Sequence, residues 1–424
     1  MRKPRKIPLL LIVLLYAYGF VWLIFQACCR LLSPFVSGIA KQINGRQISE
    51  HKLQIIRTNR TNFSKAIVFY CSSAGEYEQA KPLIDKMRAT HYVHVFFFSV
   101  SGYHYAQKLQ EQSPFDLVPI DTLWDWKRIL KVIRPDCCII VRHEFWPGFI
   151  ASAYQYSSIY AIDVSIREHS SKLSLQTKRW LFNCLDKVFF VSERDVQILD
   201  WKSSNQVIAG NTKFQRADQR KEERKIVFDK IASRIDSIFP NLKRLVIGSA
   251  WEEDIERALE AYTLLPLEEQ LNWRIIIAPH DIETKMTQKI LAICERKNVS
   301  HQLYDESSKA DCEVLIVAEM GMLFELYGCC HAALIGGGFK QGVHNIIEPA
   351  VYQMPMVSGP LIGSDREAYT YQEKGLLSTV ADAQQLCNWW IQMNTPNTAF
   401  QTQLTEQLKT ELSATSSIIK ELNL

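Results

Sequence analysis

The sequence predicts an α/β protein of two doubly wound, parallel-sheet domains behind an N-terminal membrane helix. A long uncharged run lies near the N-terminus, two series of short apolar runs alternate with amphipathic stretches, and a charge-dense segment separates the two series. Such alternation is typical of strands and helices built around a parallel sheet. A chain of 424 residues also exceeds the size at which one hydrophobic core keeps growing, so two domains are expected.

Composition places the chain among globular proteins. Hydrophobic residues make up 47% and charged residues 22%, which excludes a disordered, a collagen-like or a many-span membrane protein. The net charge is only +4 and the basic residues are dispersed, so nucleic acid is not an expected partner. The 11 cysteines are spread through apolar runs without the spacing of a zinc site. We therefore expect buried thiols in a reducing compartment and no metal site.

The N-terminal residues predict a membrane anchor. Residues 7–29 form a run without a charged side chain and follow a cluster of basic residues. As a helix this run would be about 35 Å long, enough to cross the hydrocarbon core of a bilayer. A cleaved signal peptide is the alternative, but the run is longer than a typical signal core and lacks a small-residue cleavage site. A partly inserted helix would also fit, so we expect a single-pass or monotopic anchor.

The orientation of this anchor depends on two signals. Basic residues lie on both sides of the run, so the charge rule is nearly balanced. Cysteine usage favours a reducing environment for the globular part. We therefore expect the globular part to face the cytoplasm.

Short apolar runs predict the strands of two sheets. The first series consists of Ala66–Cys71, Val93–Val100, Asp116–Ile120, Cys137–Val141, Ile159–Val164 and Val188–Ser192. The second series consists of Leu245–Ser249, Arg274–Pro279, Val314–Ala318, Ala332–Gly336 and Met356–Gly359. The runs are nearly continuous rather than alternating, as expected where helices cover both faces of a sheet.

The segment Arg216–Arg244 predicts the domain boundary, because it is dense in charge and contains no strand pattern. The expected organisation is a basic flank and anchor (1–30), an N-terminal domain (31–215) and a C-terminal domain (216–424) that ends in a helix. Two such domains would face one another across a cleft at the carboxyl ends of their strands, where doubly wound sheets bind ligands.

The first candidate site segment follows the first predicted strand. Ser73-Ala74-Gly75-Glu76 places small residues and one carboxylate at the start of a helix. Small residues let a substrate approach the backbone, and a helix N-terminus stabilises a negative charge. Glu76 is therefore a candidate base that faces the cleft. The structural alternative is an ordinary helix start, in which the carboxylate caps the first turn.

Two further segments of the N-terminal half carry ionisable groups. Arg142-His143-Glu144-Phe145-Trp146-Pro147 follows a predicted strand, and Arg142 and Glu144 are its candidate site residues. The structural alternative is an ion pair between them beside core aromatic rings. Gly210-Asn211-Thr212-Lys213-Phe214 would place the positive charge of Lys213 in the cleft, with a solvated lysine as the alternative.

The segment Gly336–Ala350 is the strongest candidate for binding a nucleotide. Its glycines follow a strand, where backbone N–H groups can cradle phosphate and the next helix offers its positive end. The segment matches neither a Walker A motif nor a dinucleotide fingerprint. Glu348 lies three residues after Asn345, so both side chains would share a helix face, and the carboxylate can accept both ribose hydroxyls. A glycine-rich turn with a capped helix is the structural alternative.

Two shorter pieces fit the same pocket. Pro279-His280 ends one strand of the second series, and Met320-Gly321-Met322 follows another. Both would line the edge at which a nucleotide lies.

These segments, in this order, resemble the Kdo transferases, which move 3-deoxy-D-manno-octulosonic acid (Kdo) from CMP-Kdo to the lipid A precursor. The resemblance covers about residues 60 to 365 and the N-terminal anchor. In its most specific part, Gly336–Pro360, the family pattern Gly-His-Asn-x-x-Glu-Pro-Ala is echoed by Gly342–Ala350. The supporting parts are Ser73–Glu76, Glu144–Pro147, Gly210–Phe214 and Met320-Gly321.

The resemblance implies a GT-B architecture, with an acceptor domain followed by a donor domain, and inverting transfer without a metal or cofactor. Glu76 would be the general base that deprotonates the acceptor hydroxyl. Lys213, Arg142 and Glu144 would stabilise the developing charge. This displacement needs such a base and such positive groups. The residues implied to hold the CMP part are Pro279, His280, Met320, Gly321, Met322, Gly338, Gly342, Asn345, Ile346, Ile347 and Glu348.

The resemblance also implies the partners and the place of action. The partners are a CMP-sugar donor, the lipid A precursor (lipid IVA) and membrane lipids, in lipopolysaccharide core biosynthesis. The expected location is a bacterial inner membrane, with the globular part facing the cytoplasm.

Some positions depart from the family pattern. Where the family has Glu-Thr-Glu-Leu-Trp-Pro, this chain has Arg142-His143-Glu144-Phe145-Trp146-Pro147, so a cation replaces the first carboxylate. An Arg-His pair of the donor domain appears as Pro279-His280, which removes a phosphate-binding arginine. Two alternatives therefore stay open. One is a related transferase with another nucleotide-activated ulosonic acid or lipid acceptor, and the other is a membrane-tethered binding protein that has lost catalysis.

Overall fold

The computed structural model of the chain describes residues 9–32, 46, 48–142, 146–168, 170–305, 308, 312–363, 365–395 and 397–422. The chain divides into two compact units. Unit 1 comprises Met1–Arg216 and Glu411–Leu424, and unit 2 comprises Ala217–Thr410. The first division lies next to the boundary expected between residues 215 and 216.

Unit 1 begins with the helix α1, Leu9–Leu32. Its stretch Ile12–Cys29 has a mean hydropathy of 2.0 and is 17% buried. By length and composition this is the one helix among the described residues that is able to cross a membrane. A single N-terminal apolar helix was expected here, and it is present.

One side of α1 packs against the rest of unit 1. Leu15 is buried, and the Tyr18 hydroxyl donates a hydrogen bond to the Asp121 carboxylate at 3.2 Å. The Trp22 ring stacks on Trp146 with a centroid distance of 6.0 Å. These contacts recur at helical spacing, so a single face of α1 makes them and the opposite face is exposed.

Unit 1 contains a seven-stranded parallel sheet with helices on both faces. Its strands are β1 (Ala66–Cys71), β2 (Tyr92–Phe97), β3 (Phe115–Leu117), β4 (Cys137–Val141), β5 (Ser158–Val164), β6 (Lys187–Phe190) and β7 (Gln206–Ile208). After α1 its helices are α2 (Glu50–Arg60), α3 (Ala74–Met87), α4 (Val100–Lys108), α5 (Leu123–Ile133), α6 (Pro147–Tyr156), α7 (Lys172–Phe182), α8 (Glu193–Leu199) and α9 (Thr212–Glu223), the last of which continues into unit 2. The strand order β3-β2-β1-β4-β5-β6-β7 reverses direction between β1 and β4.

Unit 2 contains a second sheet of the same kind. Its strands are β8 (Lys243–Ala250), β9 (Trp273–Pro279), β10 (His301–Leu303), β11 (Val314–Ile316), β12 (Ala332–Ile335), β13 (Met356–Ser358) and β14 (Leu377–Thr379). Its helices are α10 (Lys225–Ile238), α11 (Glu252–Leu264), α12 (Leu267–Asn272), α13 (Thr284–Arg296), α14 (Leu323–Cys329), α15 (Ile347–Val351), α16 (Arg366–Glu373), α17 (Ala383–Gln392) and α18 (Thr398–Leu412), which ends in the C-terminal part of unit 1. The order β10-β11-β9-β8-β12-β13-β14 reverses between β8 and β12.

The continuous apolar runs have a direct structural reason, which β1 illustrates. Ala66, Val68 and Tyr70 belong to a hydrophobic cluster on one face of the first sheet, and the residues between them belong to the cluster on the other face. All six residues of β1 are buried. Helices cover both faces of the sheet, so a polar residue would be buried whichever face of the strand it occupied. The alternating pattern of a half-exposed strand is therefore absent. The predicted fold class of two doubly wound parallel sheets is confirmed.

Every predicted strand is present, with ends displaced by up to three residues. The strands that the sequence analysis missed are β7, β10 and β14. Each is three residues long and lies at an edge of its sheet. β7 pairs with β6, and β10 and β14 form the two opposite edges of the second sheet. Their residues are partly exposed, so they lack the continuous apolar run by which the central strands were recognised.

The last helix corrects the expected domain assignment. All of 216–424 was expected in the second domain, but α19 (Ala414–Leu422) belongs to unit 1. Ile418 and Leu422 of this helix join the hydrophobic cluster of the first sheet. Lys187 donates to the Glu421 carboxylate at 2.6 Å. The location of α19 therefore follows from its apolar face and not from its position in the chain.

Candidate functional site

The carboxyl ends of β1 and β4 flank the point at which the strand order of unit 1 reverses. Doubly wound sheets bind ligands in the crevice at such a point. The segments with Glu76 and Arg142 follow these two strands directly, so the topology places both at the expected edge.

Glu76 closes a capping box at the start of α3. Its Oε2 accepts hydrogen bonds from the backbone N–H groups of Ser72 and, at 3.2 Å, of Ser73. In return, Ser73 Oγ accepts from the Glu76 N–H at 3.3 Å. The side chain is 9% exposed. The helix-start alternative is therefore realised. It does not exclude a second role, because an ionised carboxylate offers about four lone-pair sites, and the role of base stays a prediction.

Arg142 follows β4 in a left-handed conformation, with φ of +65°. Its backbone N–H still donates to the Ile162 carbonyl at 2.8 Å, so the sheet ladder holds this strained residue in place. Non-glycine residues with such φ values concentrate at functional sites. Glu144, the second candidate of this segment, lies outside the described residues, as do His143 and Phe145. Trp146 packs as a structural aromatic, stacked on Phe98 at 4.9 Å.

Asp163, near the end of β5, is a site residue that the sequence analysis missed. It is buried, has φ of +53°, and accepts hydrogen bonds from the Thr212 N–H at 3.0 Å and from the Thr212 hydroxyl. Burial raises the pKa of this carboxyl, whereas the Thr212 bonds and the charges of Lys213 and Arg142 lower it. The structure thus brings Arg142 and Lys213 around one buried carboxylate. An aspartate within an otherwise apolar strand was the available signal.

The start of α9 is linked to α3, the helix that carries Glu76. Arg216 donates a hydrogen bond to the carboxylate of Glu78, two residues beyond Glu76. Lys213 lies one turn before Arg216 on the same helix. The three predicted side chains Glu76, Arg142 and Lys213 therefore come from neighbouring elements at one edge of the sheet.

In unit 2 the glycine segment follows β12, beside the end of β8. The N–H of Gly336 donates to the Gly248 carbonyl at 2.9 Å, and the N–H of Gly337 donates to Asp254 Oδ2 at 2.7 Å. The N–H of Gly342 donates to the Gly337 carbonyl at 2.8 Å. These three N–H groups, expected to cradle phosphate, are thus already used within the protein.

The close approach of two backbone segments explains the third glycine. A Cβ atom on Gly338 would lie 2.5 Å from the backbone nitrogen of Gly359. The expected helix does not follow the glycines directly but begins at Ile347 and spans only five residues. The prediction that a helix end faces the glycine loop was therefore wrong, because residues 342–346 run without helical structure.

Asn345 lies in the loop before α15, whereas Glu348 lies within that helix. Asn345 precedes α15 and accepts a hydrogen bond from the Ile347 N–H at 3.0 Å, while Ile346 and Ile347 are buried. The two polar side chains do not share a helix face, as the sequence analysis expected. Local turn geometry replaces the predicted helix at Asn345.

Glu348 is a half-buried carboxylate with a cationic partner. Arg220 of α9 donates to Glu348 Oε1 at 3.2 Å and lies over the Phe324 ring at 4.4 Å. Burial raises the pKa of Glu348, and the Arg220 charge opposes that rise. The partner comes from the charged segment that the sequence analysis regarded only as a boundary.

The segment Met320–Met322 is held by Arg224, the residue that directly follows α9. Met320 is 85% exposed, Gly321 has φ of +85°, and Met322 is buried. Arg224 donates to the Gly321 carbonyl at 3.2 Å and pairs with the buried Glu325. Arg220 lies in α9 and contacts both α14 and α15, whereas Arg224 directly follows α9 and contacts α14. The two arginines thus link these two helices to the end of α9.

Three aromatic rings meet where the strand order of unit 2 reverses. Trp251 follows β8, His280 follows β9, and His344 lies in the loop after β12. The His280 ring is 4.5 Å from Trp251 and 4.6 Å from His344, centroid to centroid. Pro279 is buried and His280 is exposed. The sequence analysis missed Trp251, although its position directly after a central strand was a usable signal.

Among the described residues, no group of three or more His, Cys, Asp or Glu side chains could hold a metal ion. Within its own unit, the Glu76 carboxylate instead accepts from backbone N–H groups, and within unit 2 the Glu348 carboxylate pairs with Arg220.

Comparison with known proteins shows which proteins this chain is similar to. Residues 46–216 match the model of a family described as 3-deoxy-D-manno-octulosonic-acid transferase (kdotransferase). The chain is 28% identical over 286 residues to the 3-deoxy-D-manno-octulosonic acid transferase of Rickettsia prowazekii, which covers 65% of this chain and 59% of that protein. It is 24% identical over 319 residues to the protein of the same name from Aquifex aeolicus, which covers 74% and 81%. The chain thus spans less than two thirds of the length of the Rickettsia relative.

A solved structure supports the fold. The UDP-GlcNAc 2-epimerase of Neisseria meningitidis aligns with a TM-score of 0.62 at 14% identity, over 84% of this chain and 99% of that one. At this identity the likeness concerns the two-domain fold alone. The chain is thus similar to the Kdo transferases, both in the family match over residues 46–216 and in the relatives that it matches.

Proposed function

We propose that this protein is a glycosyltransferase that moves Kdo from CMP-Kdo to the lipid A precursor in lipopolysaccharide biosynthesis. The family match over residues 46–216 carries the proposal, because it includes the sheet edge with Glu76, Arg142 and Lys213. The names of the curated relatives agree with it.

In this proposal Glu76 takes the proton of the acceptor hydroxyl as that oxygen attacks the anomeric carbon of Kdo. The bond from that carbon to the phosphate of CMP breaks, and CMP leaves with the electron pair. Lys213 and Arg142 stabilise the negative charge that develops, and no metal is required. A positioned base and preorganised cations are the two contributions that this displacement needs.

Unit 2 is proposed to hold the CMP part of the donor. Glu348 accepts hydrogen bonds from the ribose hydroxyls, since Arg220 favours its ionised, acceptor-only form. His280, Asn345 and the segment Met320–Met322 line the same sheet edge. The glycine segment shapes this edge by allowing the close backbone approach at Gly338.

A second candidate is a related transferase with another nucleotide-activated ulosonic acid or another lipid acceptor. Two observations favour it: Arg142 replaces a carboxylate of the family pattern, and Pro279 replaces an arginine. A binding protein without catalytic activity is a third candidate. It is favoured by the same observation, that Arg142 replaces a carboxylate of the family pattern.

Incubation of the purified chain with CMP-Kdo and lipid IVA tests the proposal. Mass spectrometry of the lipid is expected to show the added mass of Kdo. A folded preparation that binds CMP and yields no Kdo-bearing lipid would contradict the first candidate. Transfer of a different sugar from a lipid and nucleotide-sugar mixture would support the second, and CMP binding without any transfer would support the third.

The location is also a proposal: the inner membrane of a bacterium, with the globular part in the cytoplasm. The apolar exposed face of α1 supports it. The full chain is expected to remain in the membrane pellet after a high-salt wash, whereas a variant that begins at residue 33 is expected in the soluble fraction. Full-length protein in the soluble fraction would contradict this location.

A further inference from the structure

Trp251, His280 and His344 form one aromatic stack at the reversal point of the second sheet. The Trp251 and His344 rings are nearly parallel, with an interplanar angle of 10°. The backbone of each histidine is held by a strand end: the His280 N–H donates to the Ala250 carbonyl at 3.0 Å, and the His344 N–H donates to the Gly336 carbonyl at 3.1 Å. The backbone of both histidines is therefore tied to residues at or directly after the ends of β8 and β12.

A hydrogen bond within the stack sets the protonation of one ring. Trp251 Nε1 lies 3.0 Å from His344 Nε2. An indole N–H can only donate, so Nε2 of His344 must be the acceptor and carries no proton. The single proton of the neutral imidazole is then on Nδ1. Burial lowers the pKa of His344 and the adjacent His280 lowers it further, which favours this neutral form.

The Nδ1–H of His344 has no acceptor in the part of the chain that the structure describes. The His344 ring is half-buried and lies beside Gly337, so this donor stands next to the glycine segment. The N–H groups of Gly336, Gly337 and Gly342 are engaged within the protein, and no arginine precedes His280. These three N–H groups, and an arginine before His280, are therefore not available to a phosphate bound at this edge.

We propose that Trp251 is a positioning residue that holds His344 in its Nδ1–H tautomer, so that the ring offers a neutral hydrogen-bond donor to a phosphate oxygen of the nucleotide. The tautomer follows from the Trp251 bond alone. The identity of the ligand rests on the proposed function, in which unit 2 binds CMP.

Nitrogen-15 NMR of the full chain with labelled histidine tests the tautomer without a ligand. The His344 signals are assigned by their loss in His344→Gln. Wild-type protein is expected to show Nδ1 protonated and Nε2 unprotonated. Trp251→Phe keeps a smaller aromatic ring at this position and removes the indole N–H, so the Nε2–H form should become populated. Nε2 protonated in the wild type, or an unchanged tautomer in Trp251→Phe, would overturn the proposal.

Calorimetric titration with CMP and with cytidine tests the role. Trp251→Phe is expected to weaken CMP binding by roughly threefold to tenfold, the effect of one neutral hydrogen bond, and to leave cytidine binding unchanged. Equal weakening of both ligands would show that Trp251 contacts the nucleoside instead and would overturn the phosphate assignment. Trp180→Phe, which removes an exposed indole of unit 1, is the matched control and should change neither affinity.

The two proposals fail separately. Absence of Kdo transfer by a wild type with the Nδ1–H tautomer and phosphate-dependent CMP binding would overturn the proposed function and support the present inference. Kdo transfer by a wild type in which His344 Nε2 is protonated would support the proposed function and overturn the assignment of the His344 tautomer.

Discussion

Glu76 combines a structural and a proposed chemical role in one carboxylate. The capping box fixes its rotamer through the N–H groups of Ser72 and Ser73. A base whose orientation is fixed before the substrate arrives loses less freedom in the reaction. The same bonds also explain why sequence alone could not choose between the two roles: a helix start and a base require the same residue at the same place.

Glu76→Gln separates these roles. Glutamine also completes a capping box, so the free energy of unfolding should change by less than about 1 kcal/mol. A glutamine cannot accept the proton of the acceptor hydroxyl, so Kdo transfer should fall by at least about 100-fold. The measurement is the rate of Kdo-lipid formation together with the thermal midpoint.

Ser99→Ala is the matched control for that experiment. It removes the side-chain cap of the neighbouring helix α4, where Ser99 Oγ accepts from the Gly102 N–H at 3.0 Å. It should cost about 1 kcal/mol of stability with little loss of transfer. Full transfer by Glu76→Gln would remove the assigned base.

Arg220 is expected to keep Glu348 ionised. The pKa of Glu348 is raised by burial, and Arg220 opposes this rise, so loss of Arg220 should raise the pKa further. In Arg220→Met the carboxylate should therefore take up a proton at a higher pH than in the wild type. If the ionised form accepts the ribose hydroxyls, cytidine binding by the variant should weaken by roughly threefold to tenfold as the pH is lowered and the carboxylate takes up its proton, with a smaller change in the wild type at the same pH.

Calorimetric titration with cytidine measures this effect without a phosphate that titrates in the same range. Arg296→Met is the control, because it removes an exposed ion pair with Glu256 in the same unit. An affinity ratio between variant and wild type that stays constant with pH would contradict the role of Arg220.

At the scale of elements, Asp254 joins the helix α11 to the glycine loop. Its carboxylate accepts from the Gly337 N–H at 2.7 Å and from the Trp251 N–H at 2.9 Å. Burial raises the pKa of Asp254 from 3.8 to about 6. The folded protein thus holds this proton more tightly than the unfolded chain, so the stability that it contributes is complete below about pH 4 and is lost as the pH rises through about 6.

Asp254→Asn should remove that pH dependence. The shift corresponds to about 3 kcal/mol, so the wild type should lose that amount relative to the variant between about pH 4 and pH 7. Thermal unfolding of both proteins at the two ends of this range measures the difference. Asp281→Asn, at an exposed position, is the control. A difference between Asp254→Asn and wild type that is the same at both pH values would contradict the assignment.

The elements themselves were predictable to different degrees. Central strands such as β1 and β4 are buried on both faces, so their sequences are apolar throughout and their position is evident. The edge strands β7, β10 and β14 are short and partly exposed, so backbone pairing with a neighbour defines them more than composition does. The loop before α15 was predicted as helix because the spacing of Asn345 and Glu348 is compatible with both structures.

At the scale of the whole molecule, the C-terminal helix returns to the first unit. Ile418→Ala should leave a cavity against the first sheet and destabilise unit 1 by about 2 to 5 kcal/mol. Hydrogen exchange followed by mass spectrometry should show lost protection in β1 and β2 and unchanged protection in β8 and β9. Ser416→Ala, at an exposed position of the same helix, is the control. Lost protection confined to unit 2 would contradict the assignment of α19.

The two doubly wound sheets, the apolar N-terminal helix and the order of the site segments were all evident in the amino-acid sequence. These features depend on burial patterns and on residues that are adjacent in the chain. The contacts between residues distant in the chain became evident only in the folded protein: Asp163 with Thr212, Arg220 with Glu348, Trp251 with His344, and α19 with the first sheet. The physical reason is that strand order sets these neighbours, and strand order results from the packing of whole elements and leaves no local pattern in the sequence.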